Sequence, residues 1–150
     1  MRGQVSIEFA LLSIAVVGLV GVVAAGYLGP EYEWFCVRKA AEDAVEKTCD
    51  EVAAGIEYRG TEISGELRVR DVKVGQDRVE FRLEYEGINK GAVLELLRRN
   101  VLFHVYVAVR GRPRSVEEVG NPVRGWWGTY RVSVGGSDGR LTVVVERVGR

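Results

Sequence analysis

Histidine and cysteine are almost missing from this 150-residue chain, which has one His, His104, and two cysteines, Cys36 and Cys49. A zinc centre normally takes three or four nitrogen and sulfur ligands, so the residues at hand point to no metal site. An excess of either charge is also lacking, because 21 Lys and Arg balance 21 Asp and Glu. No single-signed field would draw the chain onto phosphate, and no nucleic-acid partner is indicated. Neither a G-x-S-x-G elbow, nor a phosphate-binding glycine loop, nor an H-E-x-x-H helix occurs. The chain therefore reads as a non-enzyme without a cofactor, His104 being a satisfied core side chain rather than a base. Asn89, Asn100 and Asn121 all lack the hydroxyl residue of an N-glycosylation sequon. Internal repeats are absent too, and the length suits one modest domain plus one apolar segment.

That apolar segment is the dominant feature. Phe9 to Leu28 runs for 20 residues without a charge. As a helix rising about 1.5 Å per residue it covers roughly 30 Å, the thickness of a bilayer's hydrocarbon core. A plain signal anchor, or a cleaved signal peptide with Ala24-Ala25-Gly26 as its small-residue site, are two readings of such a span. Neither accounts for Glu8, since a carboxylate at bilayer depth costs about 2.5 kcal/mol or more unless it is paired or stays at the interface. Gly18, Gly21 and Ala25 are small residues that let helix backbones approach closely, although Gly and Ala are common in membrane helices in any case.

Past Gly29-Pro30, where a kink or a fresh helix start is expected, an amphipathic stretch runs from about residue 31 to residue 58. Trp34, Val37, Ala41, Ala44, Val45, Thr48, Val52 and Ile56 fall on one stripe, and charged residues fill the other faces. After Gly60 the period changes to two. Leu67 and Val69, then Val72 and Val74, alternate with polar residues but change phase at Asp71, a bulge or a strand end, and Val79, Phe81, Leu83 and Tyr85 form the hairpin partner. Residues 88–99 read as a short helix, and Phe103, Val105, Val107 and Val109 as a central strand covered on both faces. An irregular excursion over residues 111–128 precedes a second hairpin, from Tyr130 to Val145. The fold class is α+β, a long N-terminal hydrophobic and amphipathic helix carrying an antiparallel head of four or five strands and one short helix.

The order Gly3, Gln4-x-Ser6-x-Glu8-Phe9 and then a long uncharged stretch resembles the N-terminus of archaeal type IV pilin precursors. The resemblance covers about 25 residues and stops near residue 28. It implies cleavage by a membrane-embedded prepilin peptidase between Gly3 and Gln4, dividing the chain into a leader (1–3), a transmembrane and filament-core helix (4–30) and an extracellular head (31–150). It also implies Glu8 as the fifth residue of the mature chain, pairing with the new ammonium of a neighbour's Gln4 while Phe9, Gly18, Gly21 and Ala25 pack between helices. Such a pair would neutralise two charges inside an apolar core and set the register. Arg2 and the starting amine favour a cytoplasmic N-terminus and an external head. The partners implied are further copies or related pilins, the membrane as host of the precursor, and the peptidase. The precursor would lie in the cell membrane and the mature chain in an extracellular filament. The other class of reading is a monomeric, single-pass membrane-anchored binding or adhesion domain.

Two further features stay open. Cys36 and Cys49 lie 13 positions apart on one helix, about 20 Å along its axis, which is too far for a disulfide between them. They are buried thiols, or they cross-link neighbouring copies. Trp126-Trp127 lies on an extended segment and sends its two rings opposite ways, so one ring is expected to cap the core and the other to face outward. The exposed ring serves subunit packing or a carbohydrate-binding surface.

Overall fold

A computed structural model describes residues 2–137 and 139–149, with side chains from residue 6 onward. Two compact units divide it, Met1–Tyr32 and Glu33–Arg150. Helix α1, Arg2–Ala54, supplies all the described structure of the first unit and the opening of the second. Leu and Ala are good helix formers, and a segment that finds no partner strand can satisfy its backbone only within itself. Helical backbone continues through Pro30, which brings no N–H to the ladder, instead of beginning again there.

In the second unit the amphipathic stripe is buried as its spacing requires. Trp34, Val37, Ala41, Ala44, Val45 and Val52 are all inside the core, and so is Thr48, whose hydroxyl donates to the Ala44 carbonyl at 2.7 Å. Gly55, at φ 81°, ends the helix in the left-handed conformation that only glycine adopts at little cost. Ile56, the expected end of the stripe, consequently opens a small hairpin instead, β1 (Ile56–Tyr58) paired with β2 (Thr61–Ile63).

The main sheet has five antiparallel strands in the order β3-β4-β7-β6-β5. They are β3 (Glu66–Val74), β4 (Arg78–Glu86), β5 (Val123–Arg124), β6 (Thr129–Ser137) and β7 (Arg140–Gly149). Both hairpins form where the alternation places them. The register slips between Val69 and Asp71, so Val69 pairs with Leu83 and Val72 with Phe81. Without that bulge the strand would turn its valines to opposite faces. Rows of apolar residues cross the sheet, with Val79 beside Val145 beside Val132, and Phe81 beside Val143 beside Val134. They join the helical residues in one core, each fully buried Val, Leu or Phe contributing about 1.5–3 kcal/mol.

One expectation is overturned. The helix read as ending at Arg99 is α2, Lys90–Arg110, and it takes in the segment read as a central strand. Val93, Leu97, Val101, Val105 and Val109 recur every fourth residue and are all buried, whereas Phe103 and Val107 stay substantially exposed. Both alternating sets between 102 and 109 are mostly apolar, so period two fits them by default. The four-residue period has one buried face and one open face, and burial decides in its favour. Asn89 caps α2 by accepting from the Ala92 N–H at 3.2 Å.

Candidate assembly surface and a buried carboxylate clamp

In the first unit every large apolar side chain from Ile7 to Leu28 is exposed, and the helix is long and apolar enough to cross a membrane. At about 100° per residue, Ala10, Gly18, Gly21 and Ala25 fall within roughly 80° of one another around the axis. A β-carbon placed on Gly18 or Gly21 would meet nothing within 4 Å, so the chain's own packing does not require glycine at either position. Glu8 is exposed, with no cation in pairing distance among the described residues. Phe9 is likewise open. Gly3 and Gln4 fall within the range of α1, but their side chains lie outside the described residues.

The second unit holds a site that sequence reasoning missed. Glu33 is buried, and its carboxylate accepts from the backbone N–H of Trp126 (2.8 Å), Trp127 (3.1 Å) and Gly128 (3.0 Å) and from the Tyr130 hydroxyl (2.7 Å). The Gly125 N–H donates to the Gly128 carbonyl at 2.8 Å, closing the G-W-W-G turn around the acid. Three successive N–H groups converging on one anion form a nest, which offsets the cost of taking the charge out of water. Glycine at 125 permits the close approach, and glycine at 128 eases it. A β-carbon on Gly125 would lie 2.3 Å from a Glu33 oxygen, and one on Gly128 would lie 3.0 Å from the Tyr130 hydroxyl oxygen.

The surroundings are cationic and aromatic. Trp34 stacks on Tyr130 with ring centroids 5.9 Å apart and planes 4° off parallel, and the Arg38 and Arg147 guanidiniums lie 5.8 and 5.6 Å from its centroid. Arg147 is held in turn by Asp77, through its Nε at 2.8 Å. The signal in the sequence was an acid four residues before Val37, on the apolar stripe itself.

Neither tryptophan of the pair caps the core. Trp126 is 85% exposed and Trp127 41%, because their N–H groups face Glu33 and Trp34 already fills the interior place. Cys36 and Cys49 are half-buried free thiols that form no bond within the chain. Burial, then Asp50 and Glu46, pushes the Cys49 thiol up to about 11. His104 lies half-buried on α2, its pKa lowered by burial and then by Lys47. Comparison with known proteins found no matching family model, no similar curated protein and no similar solved structure.

Proposed function

We propose that the chain is a structural subunit of an extracellular filament of the type IV pilus kind, inserted in the membrane as a precursor and cut between Gly3 and Gln4. The observation that carries this reading is a membrane-length helix with none of its most apolar window buried, entered through a single carboxylate, Glu8. Such a surface must be covered by lipid or by other helices. Copies of the same rod offer side chains to pack and a close-approach face of Ala10, Gly18, Gly21 and Ala25. Pairing Glu8 with a neighbour's new amine removes the desolvation cost that keeps an unpaired acid out of the apolar phase.

The test is mass spectrometry of the native N-terminus together with filament yield from Glu8→Ala. A chain starting at Gln4 and a loss of filaments of about tenfold or more are the expected results, the variant leaving an unmatched ammonium in each contact. An uncut, membrane-dissolved monomer would sink the reading. The second reading, a membrane-anchored binding head, draws on the exposure of Trp126, and that monomer is the outcome it expects.

A further inference from the structure

A cleft of about 670 Å³ lies between α1, the β1–β2 hairpin and α2, within the range of about 300–1,000 Å³ typical of small-molecule sites. Its cations outnumber its acids. Lys47 pairs with Glu51 at 3.6 Å and Arg59 with Glu95 at 3.3 Å, while Arg98 and Arg99 have no acidic partner among the described residues. Arg99 lies instead 5.2 Å from the centroid of the Tyr58 ring, and Arg59 lies 5.5 Å from the same ring. The buried phenol thus positions guanidiniums at the cleft wall.

Arg59 is held there at a conformational cost. It has φ 50° and is followed by Gly60 at φ 77°, in a two-residue turn that favours Asn-Gly. It is the single non-glycine residue with positive φ among the described residues. Arginine is disfavoured there relative to a turn-forming residue, and its side chain joins the cleft lining. The cleft is also lined by Phe103, 42% exposed and one helical turn from Arg99, and by Val116, which is more exposed still. Glu57 adds a carboxylate that suits hydroxyls, while the Asn100 amide nitrogen on the same wall donates to Thr48 Oγ1 at 2.9 Å and Glu51 at 3.3 Å.

We propose that this cleft binds an acidic carbohydrate, a sugar chain bearing carboxylates. Arg98 and Arg99 take the carboxylates, Glu57 accepts from hydroxyls, and the apolar face of a ring lies on Phe103. A phosphate dianion fits less well, because Glu57 and Glu95 would stand against its second charge. The assignment is independent of filament assembly, since the cleft is built wholly from residues of the second unit.

The experiment is titration of the full-length chain, monomeric in zwitterionic micelles, with trigalacturonate and with neutral galactotriose, followed by calorimetry. Saturable binding of the acid is expected, about tenfold or more tighter than the neutral sugar and weakening as salt is raised. Arg98→Glu should weaken the acid about tenfold or more, Arg99→Gln should weaken it in the same direction, and Phe103→Ala should weaken both sugars. Circular dichroism of each variant separates lost binding from lost fold. Equal affinity for both sugars, unchanged affinity in the two folded arginine variants, or displacement by inorganic phosphate or a glutamate hexapeptide at matched charge would overturn the proposal.

Discussion

Glu33 holds a carboxylate on a stripe where the rest of the helix carries apolar groups and one threonine, and four donors from far along the chain converge on it. Glu33→Ala removes the acceptor and leaves those donors facing a void, so unfolding by denaturant should show a loss of about 2–4 kcal/mol. Glu33→Gln keeps the shape but turns an NH₂ toward N–H groups, and should fall between the two proteins. Trp fluorescence reports both, because Trp126 and Trp127 ride on the turn being measured. Cys49 makes a separate prediction at alkaline pH. Its folded pKa of about 11 lies above the ordinary value of 9.0, so its contribution is complete below about pH 9 and is lost as pH rises toward 11. The stability profile of Cys49→Ala should be flatter across that window, and alkylation of Cys49 in the folded chain should stay slow until the window is reached. Of these residues, the cysteines and the tryptophan pair were visible in the sequence. Glu33 was not singled out, because an acid three residues after a proline reads as a solvated first-turn residue until the G-W-W-G turn is folded against it.

At the scale of elements, the two hairpins, the phase change at Asp71 and the buried stripe of α1 were legible, each having a polar face to contrast with its apolar one. Helix α2 was legible only in part. From 101 to 109 the side chains are mostly β-branched or aromatic and almost all apolar, and such a run satisfies either period until something is packed against it. The β1–β2 hairpin was missed for a different reason, since its strands are only three residues long and carry no full alternation. Leu97 sits at the centre of the buried face of α2. Leu97→Ala should cost about 2–5 kcal/mol in chemical denaturation, the transfer term plus the cavity. A loss below about 1 kcal/mol would count against the observed packing.

On the scale of the whole molecule, the chain divides its hydrophobic residues between two uses. Most of the large ones after residue 33 enter one core shared by two helices and the strands, and the large ones described before it, from Ile7 to Tyr32, are all exposed. That division was plain from the charge-free run alone, because no soluble domain of this size exposes so much contiguous apolar surface without a partner for it. The clamp on Glu33 adds a constraint in time. Its donors stand 93 to 97 positions further along the chain, so a nascent polypeptide still short of residue 130 has nothing with which to bury that acid. Burial of Glu33 must therefore wait until residues 126–130 have been made, and until then its carboxylate stays in water.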